Sequence, residues 1–186
     1  MKKDGAAVGN RSMSKNPYML FQIPLTYDVD KQQIERTYFR LQKEFHPDRY
    51  RHVSSLEHEA AKVQSGHINT AFRILNDPID RAKSLLEAHQ ETMDDAIEDP
   101  DFLMDIMELQ ETLEAQPSVS FYESLVERRQ KIEETLRTAF LNKDLKTAKQ
   151  ALLKLKYLDN LVKDGKKKLS LEGDAKEIQK DLSTSQ

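Results

Sequence analysis

The segment IERTYFRLQKEFHPDRY, residues 34–50, places Ile34, Tyr38, Leu41 and Phe45 at helical spacing and then stops at His46-Pro47. Such a stripe predicts one buried helix face, with Arg36, Arg40 and Lys43 on another. Asp30 is a good N-cap for this helix, and Val29 and Ile34 occupy the two positions of a hydrophobic staple across it. Proline removes a backbone donor and disfavours helical geometry in the residue before it, so the helix ends there and a loop follows. A second long helix is predicted from about Leu56 to Leu75, with Ile68, Ala71, Phe72 and Leu75 as its apolar stripe. Two antiparallel helices joined by a loop bury each other's stripes, and Tyr18 to Ile23 supplies a short cover.

Outward from this hairpin the chain stays helical. Gly66 is the only glycine between residues 10 and 164, and the prolines act as punctuation. Asn76-Asp77-Pro78 closes the hairpin, and Ile79 to Ala88 forms a connecting helix. The acidic stretch from Gln90 to Asp99 reads as a linker. Three more helices follow. The first starts at Asp99-Pro100, with Asp as cap and Pro at the first helical position. The second starts at Ser120-Phe121-Tyr122-Glu123, which has capping-box spacing. The third runs from about Asp144 to Asp164. The predicted organisation is all-α: a disordered leader at 1–16, a first domain at 17–88, a linker at 89–98, a three-helix bundle at 99–170 and a flexible tail at 171–186. The leader carries lysines but lacks the apolar core of a secretory signal. The tail is rich in Ser, Lys, Asp and Glu.

Composition narrows the function. Of 186 residues, 33% are charged and 38% hydrophobic, which suits small cores rather than one large one. The net charge of −3 says little, but its distribution says more. No Lys or Arg occurs from Ser84 to Glu127, whereas Lys31 to Arg51 leans basic. Two differently charged surfaces point to two partners. The absence of cysteine excludes a disulfide framework and any thiolate zinc site, and fits a reducing compartment. No apolar run approaches the roughly 20 residues that span a bilayer.

Chemistry concentrates at Phe45-His46-Pro47-Asp48-Arg49. A catalytic reading pairs His46 with Asp48 as base and orienter. It lacks a convincing nucleophile and a glycine-rich oxyanion loop. A metal reading gathers His46, Asp48, His52, His58 and His67, whose spacing matches no common ligand pattern. The pairing of residues 34–50 with INTAFRILNDPIDRA, residues 68–82, resembles the J domains of DnaJ-type co-chaperones over about residues 17–83. That resemblance implies a regulator of an Hsp70-class ATPase and not an enzyme. His46, Pro47 and Asp48 would form the essential triplet, and Arg36, Arg40, Lys43 and Arg49 the basic docking surface. Taken alone, the basic face reads equally as an ordinary solvated surface.

In the second unit, Phe102, Ile106, Leu109 and Leu113 form a core stripe at helical spacing. Met104, Met107, Glu108 and Glu111 fall opposite, with Leu103 at the border. Methionines among carboxylates suit an adaptable contact surface, and packing against the first domain is the other reading. On the third helix Ala148, Leu152, Leu155 and Val162 make the predicted core stripe, with Tyr157, Leu153 and Leu161 off it. The segments PYMLFQIPLTYDVD (17–30), DPIDRAKSLLE (77–87), DFLMDIMELQETLE (101–114) and LKYLDNL (155–161) resemble HscB, the co-chaperone of iron–sulfur cluster assembly. The resemblance implies two partners, an HscA-type Hsp70-class ATPase and an IscU-type scaffold protein, the latter bound through Leu103, Met104, Met107, Glu108, Glu111 and Tyr157. Ala115 departs from the pattern, where an acidic residue often extends the contact. No cofactor, metal, nucleic acid or membrane is implied. The bacterial cytoplasm is the expected location, with the mitochondrial matrix second. Delivery of some other client by a specialised J protein is the alternative.

Overall fold

The computed structural model describes residues 16–50, 54–92 and 96–184, with side chains described as far as Ser170. The leader assigned to residues 1–16 lies outside these residues up to Lys15, as does His52. Asn16 itself caps a helix, its side chain accepting from the N–H groups of Tyr18 and Met19. The elements are α1 (Pro17–Phe21), α2 (Lys31–Phe45), a 3₁₀ turn (Pro47–Tyr50), α3 (Ser55–Asn76), α4 (Pro78–Ala88), α5 (Pro100–Ala115), α6 (Val119–Leu141) and α7 (Leu145–Thr184). No strand occurs among the described residues, and the fold is all-α. The chain divides into two compact units after Ala88.

In the first unit α2 and α3 form the antiparallel hairpin, with α1 and α4 packed on α3. Asp30 caps α2 by accepting from the N–H groups of Gln32 and Gln33. Ser54 and Glu57 form a reciprocal capping box at the start of α3. Each cap is worth about 1 kcal/mol. Tyr18, Phe21, Ile34, Ile68, Leu75, Leu85 and Leu86 are fully buried, and each contributes roughly 1.5–3 kcal/mol by leaving water. Tyr38, Phe45 and Phe72 of the expected stripes are only half-buried. The Tyr38 ring stacks on Phe72 with centroids 4.1 Å apart. Asn69 then sets the register, because its Oδ1 accepts from the Tyr38 hydroxyl at 3.0 Å and from Gln42 Nε2 at 2.6 Å.

Arg81 is a buried cation, only 7% exposed. Its Nη1 donates to the Leu75 carbonyl at 2.8 Å, and its guanidinium sits 4.8 Å from the centre of the Tyr27 ring. The buried Tyr18 hydroxyl donates to the Arg81 carbonyl. One side chain therefore joins the end of α3, α4 and the loop before α2. A hydrogen bond and a ring face offset part of the cost of withdrawing its charge from water.

In the second unit α6 and α7 pack along one another, and α5 lies chiefly on α7. Ile106, Leu109, Leu113, Leu125, Leu158 and Leu161 form one cluster, with Phe102, Phe121, Ile132 and Val162 partly buried against it. Asp99 caps α5 as expected, accepting from the Phe102 N–H. Three features differ from the sequence reading. The cap of α6 is Ser118 rather than Ser120, because the Ser118 hydroxyl takes the Phe121 N–H directly after Pro117. Leu153 and Leu161 are buried, at 3% and 5% exposure, since α7 has more than one covered side. The helix expected to end near Asp164 and give way to a frayed tail runs on to Thr184. No proline follows Pro117 to stop it, and Gly165 is buried against Tyr122, Leu113 and Leu125.

Candidate functional site

The end of α2 presents the triplet. Phe45 is the last helical residue, His46 turns to extended geometry, and Pro47 to Tyr50 form the 3₁₀ turn. His46 and Asp48 are both more than half exposed. Nδ1 of His46 lies 3.9 Å from a carboxylate oxygen of Asp48, too far for a hydrogen bond. The N–H of Asp48 also donates to His46 Nδ1 at 3.3 Å. Acceptance at Nδ1 leaves Nε2 as the protonated nitrogen of the neutral ring. What this geometry offers is an outward donor and an outward carboxylate.

Arg36, Arg40 and Lys43 are exposed on α2. Arg36 lies 3.9 Å from Asp30 across open surface, a pair of little energetic weight. The sequence reading missed Phe39, which is 68% exposed among these cations. Its position one residue outside the buried stripe was the available signal. Arg49 is exposed, yet its guanidinium is engaged, donating to the Lys43 carbonyl at 2.8 Å.

A second surface lies on α5. Met104 and Met107 are each 63% exposed, Glu108 and Glu111 are exposed, and Leu103 lies at the border at 37%. Ile106, Leu109 and Leu113 on the other side are buried. On α7, Lys154 bonds to Asp99 and lies 5.1 Å from the Phe102 ring, which fixes the first turn of α5 against that helix. Tyr157, about one turn farther along α7, is 43% exposed. Leu153 and Leu161, which the sequence placed beside Tyr157, belong to the core instead. A cleft of about 340 Å³ lies between Gln110 and Glu114 of α5 and Lys167 and Lys168 of α7. Ala115 ends the helix, exposed and uncharged.

Charge distinguishes the two surfaces. The α2 surface is cationic, while the α5 surface mixes soft apolar side chains with carboxylates. Among the described residues no group of three His, Cys, Asp or Glu side chains is arranged to hold a metal ion. No helix among them is long and apolar enough to cross a membrane.

Comparison with known proteins finds relatives that match most of the chain. The profile of the HSCB C-terminal oligomerisation domain matches residues 98–164. A protein of Haemophilus ducreyi named co-chaperone protein HscB homolog is 30% identical over 159 residues, covering 80% of this chain and 92% of that one. Its counterpart in Neisseria meningitidis is 33% identical over 154 residues, covering 77% and 93%. Among solved structures, the chaperone HscB from Vibrio cholerae superposes with a TM-score of 0.77 at 29% identity, covering 84% of this chain and 98% of that one. The human co-chaperone protein HscB gives 0.76 at 26% identity, covering 82% and 81%.

Proposed function

The chain belongs to the HscB family of co-chaperones, and from that premise we propose that it stimulates the ATPase of an HscA-type Hsp70-class chaperone and delivers an IscU-type scaffold protein to it during iron–sulfur cluster assembly. The observation that carries this reading is the exposed His46-Pro47-Asp48 turn at the end of a helix bearing Arg36, Arg40 and Lys43, with Arg49 adjoining.

Exposed cations steer encounter with an acidic partner and set its orientation. Phe39 adds an apolar contact in their midst. Pro47 restricts the backbone between His46 and Asp48, so little ordering entropy is lost when both engage. The ATP chemistry belongs to the partner, and this chain acts on it by docking. Leu103, Met104, Met107, Glu108, Glu111 and Tyr157 form the scaffold-binding surface. Methionine adapts to an irregular apolar patch, and the carboxylates favour a basic rim around it. Ala115 favours a second reading at that edge alone, delivery of a different client by the same first-unit mechanism. The bacterial relatives support a cytoplasmic setting.

The test is the ATPase rate of the chaperone measured with this chain, with and without scaffold. The parent raises the rate and scaffold raises it further. His46→Gln abolishes stimulation while helicity and melting stay nearly unchanged, because an exposed turn supports little core. Stimulation by that variant at the parent level would sink the reading. Failure of the scaffold alone to add to the parent's rate favours the different client.

A further inference from the structure

In an uninterrupted α2 the Lys43 carbonyl would accept from the N–H of residue 47, and the Glu44 carbonyl from that of residue 48. Residue 47 is Pro47, which has no N–H. The N–H of Asp48 is turned to His46 Nδ1. The triplet therefore leaves two successive carbonyls of α2 without their helical donors. Each is met by a side chain from just beyond the turn. Arg49 Nη1 donates to the Lys43 carbonyl at 2.8 Å, and the Tyr50 hydroxyl donates to the Glu44 carbonyl at 3.2 Å. The Arg49 N–H also donates to the His46 carbonyl at 3.0 Å. The chain leaves α2, makes its turn, and is tied back to the helical turn it has just left.

We propose that Arg49 and Tyr50 are positioning residues, replacing the two donors that the proline turn removes and holding His46 and Asp48 in one presentation toward the ATPase. The proposal rests on the reading given under Proposed function. It separates Arg49 from the cations of α2: Arg36, Arg40 and Lys43 act on encounter, whereas Arg49 acts on the geometry of its neighbours. Tyr50 shows the distinction most cleanly, since it carries no charge. The basic face is part of α2 and docks whether or not the turn is held. A loosened turn thus leaves docking intact and lowers the fraction of docked molecules that present the triplet productively.

Tyr50→Phe deletes the hydroxyl and keeps the ring. At saturating co-chaperone the maximal stimulation of the ATPase should fall, as loss of one exposed hydrogen bond shifts the equilibrium about threefold to tenfold from the held turn toward the loosened one. The half-saturating concentration and its salt dependence should stay at the parent values. Arg49→Met should behave in the same way. Arg36→Gln should instead raise the half-saturating concentration, weaken its salt dependence and keep the maximum. On the protein alone, the Asp48 amide resonance should broaden or shift from its parent position in Tyr50→Phe and Arg49→Met and not in Arg36→Gln. A parent-like maximum in either clamp variant overturns the proposal, as does an unchanged Asp48 amide. It is equally overturned if Arg49→Met changes the salt dependence as Arg36→Gln does. A parent protein that fails to stimulate sinks the co-chaperone reading instead, and the Asp48 amide still decides the clamp.

Discussion

Met104 and Ile106 stand two residues apart on α5 and face opposite ways, 63% and 7% exposed. Their substitutions should separate completely. Leu103→Ala, Met104→Ala and Tyr157→Ala should each weaken scaffold binding by roughly 1 kcal/mol or more, with melting close to the parent. Ile106→Ala leaves a cavity in the cluster with Leu109 and Leu158 and should cost about 2–5 kcal/mol of stability. Calorimetric binding and thermal melting on the same samples check both. Surface variants that melt early yet bind normally would remove Met104 and Tyr157 from the client surface. This pair of residues was legible in the sequence, because helical spacing alone assigns them to opposite faces. Arg81 was not. An arginine in DPIDRAK reads as solvated surface, and only the assembled unit shows the Leu75 carbonyl and the Tyr27 ring that make its burial tolerable. Tyr50 was missed for a related reason, since its partner is the Glu44 carbonyl, whose helical donor, the Asp48 N–H, is turned to His46 Nδ1 only in the folded turn.

Two glycines give the elements a sharper test than their lengths do. Gly66 lies within α3 with nothing inside 4 Å of a Cβ placed there. Gly66→Ala should stabilise the first unit by about 0.5–1 kcal/mol, the helical preference of alanine over glycine. Gly165 lies within α7, where a Cβ would meet Tyr122 Cδ2 at 3.2 Å and Leu113 Cδ1 at 3.5 Å. Gly165→Ala should gain less than Gly66→Ala, or lose stability, because α6 must give way to it. Denaturant titrations of the two variants settle the order. Helix starts were largely legible, since caps are local: Asp30 and Asp99 fall where the sequence put them. The start of α6 moved by two residues because Ser118 and Ser120 both offer a hydroxyl, and the path of the chain after Pro117 chose between them. The core face of α7 was under-read because a single-stripe pattern assumes one neighbour. Leu153 and Leu161 add to that stripe on a helix that packs with both α5 and α6.

For the molecule as a whole, the second unit depends on ionised carboxylates. Lys154 and the Phe102 N–H hold the Asp99 carboxyl below its usual range. Burial pushes Asp159 upward, but Lys163 and Arg129 outweigh it and the net displacement is downward. Groups depressed in the folded state stabilise it above their unfolded values, and that contribution is lost as the pH falls through the folded ones. The second unit should therefore weaken as the pH falls below about 4. Asp159→Asn should be less stable than the parent at neutral pH and show a shallower decline in acid, read from melting temperature against pH. The acidic linker and the Asp99-Pro100 start made two helical units readable in the sequence, whereas the full course of α7 was not, because no residue marks its end. The dependence of α5 chiefly on α7 has a kinetic consequence. A helix anchored mainly along one seam opens before the pair that supports it, in a sub-global step of lower free energy than full unfolding. Amides of α5 should accordingly exchange with deuterium before those at the centres of α6 and α7. Scaffold should slow α5 most. The proposed client surface would then be the most readily released part of its unit, and capture of the client would close the opening through which that surface comes and goes.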